Sequence, residues 1–171
     1  LSDWIRRAPG SGLDRLVSGL GLLLGVCRGM AHVHSRGVAH FDLKPANVLV
    51  TGGGVSKVAD FGLAMGFQSD VLPTMAKLRT RWRGTRGYVA PELVEDGNVH
   101  VVTPMVDVWS FGMMAKAVFG VVDGSALGTA SRVFDTGAFV GRCGAVPAEY
   151  RPTFEDLVVE VEAVLDELRS M

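Results

Sequence analysis

Apolar residues recur every three or four positions along three segments of this chain, which predicts three long helices. In the segment 13–35 the recurring residues define one face: Leu16, Leu20, Leu23, Leu24, Cys27, Met30 and Ala31. From position 105 to about 119 apolar residues surround the helix almost completely, which is typical of a buried helix. The last helix, after Thr153, has a single apolar face: Phe154, Leu157, Val158, Val161, Val164, Leu165 and Leu168.

Local signals predict where these helices begin. Thr103 and Pro104 fit an N-cap followed by a first-turn proline. Thr153 and Asp156 have the spacing of a capping box. A short helix is predicted over 1–7, because the turn-forming stretch 8–12 separates it from the long helix.

The other segments are less regular. The stretches 48–50 and 55–59 are rich in valine and flank Gly52–Gly54, which predicts a short β-hairpin. The segment 62–88 has weak periodicity and predicts a long loop, and 121–146 gives no clear pattern. The predicted fold class is therefore α+β, predominantly helical, with one small hairpin.

Composition narrows the function classes. A chain of 171 residues fits one domain, and a net charge of −1 gives no reason to expect nucleic-acid binding. The longest apolar-plus-glycine run, 19–27, is shorter than the ~20 residues that cross a bilayer, so no membrane segment is expected. Two cysteines without metal spacing favour a reduced, cytoplasmic setting. An apolar content of 48% suggests that some surface meets a partner or a missing domain.

Three short polar blocks stand out against this background. The first is His40-Phe41-Asp42-Leu43-Lys44-Pro45-Ala46-Asn47. Asp60-Phe61-Gly62 begins thirteen residues after the first block ends, and Ala90-Pro91-Glu92 begins thirty residues after Asp60. The first block alone would fit an ordinary turn. A functional interpretation therefore depends on the order and spacing of all three blocks.

The side chains in these blocks suit phosphoryl transfer. Asp42 can orient a hydroxyl and accept its proton, and Lys44 can offset charge on a phosphoryl group. Asn47 and Asp60 supply the hard oxygen ligands that Mg²⁺ prefers beside phosphate.

Together the three blocks resemble the catalytic loop, the metal-binding loop and the end of the activation segment of eukaryotic protein kinases. The resemblance implies that Asp42 and Lys44 are catalytic, and that Thr85 bridges them, as in serine/threonine-specific members. It implies that Lys44, Asn47, Leu49 and Asp60 contact ATP or its metal, with Leu49 under the adenine ring and Asn47 and Asp60 holding Mg²⁺. The expected substrates are ATP and a protein Ser or Thr hydroxyl.

The same resemblance assigns supporting roles to other residues. His40 and Phe61 would stack in an internal spine, and Asp107 would anchor the catalytic-loop backbone from the buried helix. Glu92 would pair with Arg151. The remaining histidines, His32, His34 and His100, have no ligand spacing and are expected to be surface residues or hydrogen-bonded core residues. The tryptophans Trp4, Trp82 and Trp109 are expected to serve in packing and not as stacking platforms.

The resemblance covers only the C-terminal lobe of a kinase, over 1–171, with an activation segment at 60–92. The glycine-rich phosphate loop, the strand lysine and its glutamate-bearing helix have no counterpart here, so a missing N-terminal lobe or a partner is expected to cover the site. Because the first residue is Leu1, a processed chain or a piece of a longer one is expected. Phe41 stands where most kinases have arginine, and the stretch 120–151 is short for a substrate-docking region.

Two alternatives remain beside the kinase. A catalytically inactive lobe could act as a protein-binding module, in keeping with the apolar composition. A small-molecule phosphotransferase can share a His-x-Asp-(x)₄-Asn pattern. The Asp60-Phe61-Gly62 block and the stretch from Gly84 to Glu92 argue against the latter, because they resemble an activation segment for protein substrates.

Overall fold

A computed structural model describes residues 1–7, 10, 12–67, 85–94, 103–120 and 130–171. The helices are α1 (Ser2–Arg7), α2 (Gly12–Ser35), α3 (Met105–Phe119), α4 (Ala130–Val133), α5 (Thr136–Cys143) and α6 (Phe154–Arg169). The strands are β1 (Val38–Ala39), β2 (Val48–Val50), β3 (Ser56–Val58) and β4 (Met65–Gly66). Trp82 and His100 lie outside the described residues, and so do Ser69, Thr74 and Thr80, the hydroxyl residues of the predicted loop 62–88 that are candidates for phosphorylation.

Helices α2 and α6 form the largest helix–helix contact of the described fold. Every residue of the predicted α2 face is buried except Ala31, which is partly buried against the core. On α6 the buried residues are Phe154, Leu157, Val161, Leu165 and Leu168. The predicted helical faces are therefore confirmed, because burial follows the helical period.

Helix α2 is also long and apolar enough, by length and composition, to cross a membrane. Half of its most apolar window is buried inside the fold, among the core residues that α3 and α6 contribute. The core helix of a globular domain passes the same test of length and composition.

Helix α3 ends at Phe119 as predicted, but its predicted N-cap is wrong. Pro104 occupies the N-cap position, and no side chain caps the helix. The Thr103 hydroxyl is buried without a hydrogen-bond partner, while the Thr103 carbonyl accepts from the Val106 N–H at 3.2 Å. The capping box of α6 is confirmed, since Thr153 and Asp156 each accept a hydrogen bond from the other's backbone N–H.

Two small antiparallel sheets flank the loop between β1 and β2. Strands β2 and β3 form the predicted hairpin, with Val48 opposite Val58 and Val50 opposite Ser56. Strands β1 and β4 pair with Val38 opposite Gly66, so the prediction of an unbroken loop over 62–88 is wrong at this point. Two-residue strands are too short to produce a period in the sequence.

Helices α4 and α5 lie in the segment that gave no pattern. Asp135 caps α5 by accepting from the Ala138 N–H at 2.9 Å. Helix α5 packs against α3 through Phe139 and Cys143, which are buried in the main core. Four and eight residues hold too few helical turns to show an apolar stripe.

A second apolar cluster lies apart from the main core, and we call it the Phe41 cluster. It joins the loop after β1, the segment around β4, the turn at Pro91–Leu93 and helix α3. Its buried members are Ala39, Phe41, Ala90 and Val106, and Leu63, Met65, Phe67, Leu93 and Trp109 pack against them.

Candidate active site

The loop from His40 to Asn47 is held by a carboxylate on α3. Asp107 is fully buried, and its Oδ2 and Oδ1 accept from the backbone N–H groups of His40 at 2.7 Å and Phe41 at 2.8 Å. The same Oδ2 lies 2.9 Å from His34 Nε2 on α2. Because an ionised carboxylate only accepts, His34 is the donor of this third bond. The predicted contact between Asp107 and the backbone of this loop is therefore confirmed.

Four side chains converge here, three from this loop and one, Thr85, from the segment that follows position 84. Lys44 Nζ donates to Asp42 Oδ2 at 2.6 Å and to Thr85 Oγ1 at 2.9 Å. Asn47 Nδ2 donates to the same Asp42 Oδ2 at 3.0 Å and to the Asp42 carbonyl at 2.8 Å. Within the described part of the chain, Asp42 Oδ1 accepts no hydrogen bond, so this oxygen is available as an acceptor.

Thr85 is placed by backbone contacts that reach α3. The Tyr88 N–H donates to the Thr85 carbonyl at 3.1 Å, and the Ser110 hydroxyl donates to the Tyr88 carbonyl at 2.7 Å. These bonds link the turn that contains Thr85 to helix α3. They therefore hold Thr85 where its hydroxyl can accept from Lys44.

His40 connects the loop to the residue before Asp60. Its Nε2 lies 3.0 Å from the Ala59 carbonyl, and its Nδ1 lies 3.3 Å from the Asp42 backbone N–H. A carbonyl only accepts, so these partners assign the ring hydrogen to Nε2 and leave Nδ1 as an acceptor. The Ala59 N–H donates to the Asn47 carbonyl at 2.8 Å. Both ends of Ala59 are therefore fixed, which holds Asp60 near Asn47.

Asp60 and Phe41 both adopt left-handed backbone conformations, with φ of 61° and 66°. Non-glycine residues rarely occupy this region, and such strain persists only where the surroundings enforce it. At Asp60 the bond from the Gly62 N–H to Oδ1, at 3.3 Å, supports the turn. The Asp60 side chain is exposed, and the Phe61 ring centre lies 4.8 Å from that of His40.

The donor set formed by Asn47 and Asp60 fits Mg²⁺. Because Asn47 Nδ2 is used by Asp42, its amide oxygen remains as an acceptor, and Asp60 contributes an exposed carboxylate. Mg²⁺ is commonly bound by one or two such oxygens, with water and phosphate completing the octahedron. Among the described residues, no group of three or more His, Cys, Asp or Glu side chains gathers to form a closed metal cage.

Glu92 and Arg151 form the predicted pair. The guanidinium binds the carboxylate with both oxygens, Nη1 to Oε1 at 2.6 Å and Nη2 to Oε2 at 2.9 Å. Arg151 also donates to the carbonyls of Met105 and Ala145, and its guanidinium lies over the Trp109 ring at 5.2 Å. This junction ties the turn at Pro91–Leu93 to α3 and to the segment that leads from α5 into α6.

Among the described residues, several apolar side chains on one side of the site are exposed. Leu49 on β2 is 61% exposed, and Phe61 is 44% exposed although its ring touches His40. Val55, at the tip of the hairpin, is also exposed. Exposed apolar side chains of this kind are available for contact with a ligand or with another protein segment.

Sequence reasoning placed His34 only among surface or core residues and missed its contact with Asp107. Its partner lies 73 positions away, so neither spacing nor periodicity connects them. The role of Ala59 was also missed, since it acts through backbone groups that every residue carries. The signal available in the sequence was the position of His34 on the apolar side of α2, and its side chain is only 8% exposed in the structure.

Comparison with known proteins gives the family. The family model described as protein kinase domain matches residues 20–122. Mitogen-activated protein kinase kinase kinase 20 of Arabidopsis thaliana is 40% identical over 94 residues, which are 55% of this chain and 26% of that protein.

Two further relatives agree. Cyclin-dependent kinase 11 of Dictyostelium discoideum is 41% identical over 91 residues, 53% of this chain and 24% of that protein. The G-type lectin S-receptor-like serine/threonine-protein kinase LECRK1 of Oryza sativa subsp. indica is 42% identical over 96 residues, 54% of this chain and 11% of that protein. The match thus spans about a tenth to a quarter of the length of these relatives. Since the family model covers more than half of the chain, this protein belongs to the protein kinase domain family.

Proposed function

We propose that this chain is the C-terminal lobe of a serine/threonine protein kinase, which transfers the γ-phosphoryl group of ATP to a protein Ser or Thr hydroxyl. The observation that supports this most is the position of Lys44 Nζ between Asp42 Oδ2 and Thr85 Oγ1, at 2.6 and 2.9 Å. The Lys44 ammonium group thus contacts both the proposed base and Thr85, which belongs to the proposed activation segment, 60–92.

Each side chain then has a stated task. Asp42 Oδ1 accepts the hydrogen bond of the substrate hydroxyl and takes its proton late in the reaction, while Lys44 Nζ offsets charge on the transferred group. Asn47 and Asp60 would hold Mg²⁺, which when bound neutralises charge on the phosphate oxygens of ATP. The exposed Leu49 side chain would lie against the adenine ring.

The exposed apolar side chains indicate what completes the site. In the kinase template an N-terminal lobe covers the nucleotide and positions its α- and β-phosphates. The domain proposed for 1–171 supplies the other half, so a separate N-terminal lobe or a partner would cover Leu49 and Phe61. We place the assembled enzyme in the cytoplasm or on the cytoplasmic side of a membrane, where ATP is available.

Replacing the proposed base tests this function. In the full-length protein, Asp42→Asn is expected to lower kcat for protein phosphorylation by about 10²–10⁴-fold, because the amide cannot accept the proton. ATP affinity, measured by equilibrium binding, should stay within about threefold of wild type, since Asp42 is proposed to contact the substrate hydroxyl and not the nucleotide.

A matched control is Asp166→Asn, an exposed carboxylate near the end of α6. It removes the same charge away from the site and should leave kcat unchanged. Undiminished turnover by Asp42→Asn would remove Asp42 from the mechanism.

A second candidate is an inactive lobe that works as a protein-binding module, and the exposed apolar side chains of Leu49, Val55 and Phe61 favour it. The same assay separates the two functions. If the wild-type protein shows no turnover and no ATP affinity but binds a protein partner through this face, the binding module becomes the better description.

A further inference from the structure

Arg86 carries an exposed guanidinium one residue after Thr85. Among the described residues, no acidic side chain forms an ion pair with it. The other charged residue of the stretch 85–94 is Glu92, whose carboxylate is bound through both oxygens by Arg151. Arg86 therefore holds the uncompensated charge of this stretch, and the charge is permanent because a guanidinium does not lose its proton in a protein.

A tight turn holds the backbone of Arg86 in place. The Tyr88 N–H donates to the Thr85 carbonyl at 3.1 Å, so Arg86 and Gly87 are the central residues of a β-turn. Gly87 has a φ of 92°, which a type II turn requires at its third position and which glycine adopts without strain. The Ser110 hydroxyl donates to the Tyr88 carbonyl at 2.7 Å and thereby ties the turn to α3.

This turn lies beside the proposed base. Lys44 Nζ donates to both Thr85 Oγ1 and Asp42 Oδ2, so a single ammonium group separates Thr85 from Asp42. Consecutive Cα atoms are about 3.8 Å apart, which places the backbone of Arg86 next to that of Thr85. A substrate residue whose hydroxyl contacts Asp42 brings its neighbours within reach of the arginine side chain. Since an extended peptide advances about 3.3 Å per residue, this reach covers roughly two residues on either side.

The sequence around Arg86 carries charge of one sign. Between positions 71 and 91 there are five basic residues and no acidic residue. The basic residues are Lys77, Arg79, Arg81, Arg83 and Arg86, of which Arg86 lies among the described residues. Because the whole chain has a net charge of −1, this excess of positive charge is local. A segment of one sign attracts peptides of the opposite sign and disfavours peptides of its own sign.

We infer that Arg86 is a specificity-determining residue, which selects protein substrates that carry an aspartate or glutamate within about two residues of the phosphorylated Ser or Thr. A guanidinium binds a carboxylate through two parallel N–H···O bonds, which makes it selective for that group. This inference rests on the proposed kinase function and names the chemical class of substrate for that same site. Peptides with lysine or arginine at those positions are disfavoured.

Short peptides test this selection with the full-length protein. Each peptide has a central serine and a single Asp or Asn at one of the two positions before it or the two after it, because Asn has the shape of Asp without its charge. At one or more of these positions, kcat/KM should be about two- to fivefold higher for Asp than for Asn, the size expected of an exposed ion pair. Equal values at all four positions would overturn the inference.

Two further readouts identify the gain as an ion pair with bound substrate. It should lie in KM and not in kcat, since such a pair stabilises the bound peptide equally before and during the reaction. It should also shrink as the salt concentration rises from about 0.05 M to about 0.5 M, because salt screens exposed charges.

Charge reversal at the same position gives a sharper result. In Arg86→Glu the ratio of kcat/KM for Asp to that for Asn should fall below one, because attraction is replaced by repulsion. Arg86→Lys keeps the charge and should keep the ratio above one but below that of wild type, since an ammonium group lacks the two-pronged geometry of a guanidinium. Because Arg86 is exposed, neither change removes a buried side chain.

The matched control is Arg132→Glu, which reverses the charge of an exposed arginine on α4. Helix α4 lies near the C-terminal end of α3, since the ring centre of Phe134, directly after α4, is 5.5 Å from that of Phe119. The turn with Arg86 instead contacts Ser110, in the first half of α3. Arg132→Glu should therefore retain the wild-type ratio. An unchanged ratio in Arg86→Glu, or an equal fall in Arg132→Glu, would overturn the inference.

Equilibrium binding separates this inference from the proposed function. Peptides with alanine in place of the central serine cannot be phosphorylated, and their Kd is measured on full-length protein after phosphatase treatment, with removal of phosphate verified by intact mass. The Asp peptide should bind wild type about two- to fivefold more tightly than the Asn peptide, and Arg86→Glu less tightly. Absence of turnover in wild type would refute the kinase function, whereas equal Kd values for the two peptides in both proteins would refute selection by Arg86.

Discussion

Each guanidinium nitrogen of Arg151 donates to a partner inside the protein. Two of them bind Glu92, and the rest of the hydrogen-bonding capacity goes to the carbonyls of Met105 and Ala145. The Arg151 side chain is fully buried, whereas Glu92 keeps 19% exposure. A buried pair depends on both members, because the one that remains is left desolvated and unpaired.

Arg151→Met should therefore lower the free energy of unfolding by about 3 kcal/mol, the lower end for a broken buried pair, since Glu92 retains some access to water. Urea unfolding followed by tryptophan fluorescence measures this change. The matched control is Arg28→Met, whose partner Glu162 is 40% exposed, and it should cost less than about 1 kcal/mol. Equal losses for the two variants would contradict this assignment of the Glu92–Arg151 pair.

At the residue scale, a contact could be predicted from the sequence only where both partners belong to motifs that resemble those of kinases. The Glu92–Arg151 pair and the bonds from Asp107 to the loop followed from resemblance to kinases, and the structure confirms both contacts. His34 belongs to none of the motifs, so its bond to Asp107 was not predictable. Catalytic roles for Asp42, Lys44 and Thr85 stay predictions, although their geometry agrees with them.

At the scale of elements, the glycines of α2 are not equivalent. A Cβ on Gly25 would lie 2.4 Å from Ser56 Oγ, which itself donates to the Leu22 carbonyl at 2.5 Å. A Cβ on Gly21 would meet nothing within 4 Å. Gly25 thus permits β3 to approach the helix closely, whereas Gly21 only lowers helix propensity.

Gly25→Ala should consequently destabilise the protein by about 1–3 kcal/mol, because either β3 moves away or the Ser56 bond breaks. Gly21→Ala should instead stabilise it by up to about 1 kcal/mol through helix propensity. Thermal unfolding of the two variants beside wild type gives both values. A stabilising effect of Gly25→Ala would mean that α2 and β3 are not in close contact in solution.

How well each element could be predicted depended on its length. Helices α2, α3 and α6 span at least four turns, so their apolar periods were clear, and the hairpin had three consecutive glycines at its tip. Strands β1 and β4 form through pairing 26 or more positions apart, which local sequence does not reveal. Thr103 was predicted as a cap from residue type alone, but the backbone places Pro104 there.

At the scale of the whole molecule, the main core contains both thiols. Cys27 on α2 and Cys143 on α5 are buried and unpaired by disulfide. Burial raises the pKa of the Cys27 thiol well above its ordinary value and raises that of Cys143 to about 12. Their protonation therefore reports whether the helices that enclose them are packed together.

The sign of the pH dependence follows from the raised pKa of Cys143, about 12 in the folded protein against about 8.5 when unfolded. Below the unfolded value both states bind the proton, and the full stabilisation is present. As pH rises from about 9 towards 12 the unfolded state loses a proton that the folded state keeps, so the free energy of unfolding falls.

Cys143→Ala removes this contribution and leaves in place Cys27 and Tyr88, whose pKa values burial also raises. Between pH 9 and 11 we expect the wild-type free energy of unfolding to fall more steeply than that of the variant, by about 1.4 kcal/mol per pH unit. Urea titrations at a series of pH values measure both slopes. Parallel curves would mean that water reaches Cys143 in the folded state, and hence that α5 does not stay packed on α3.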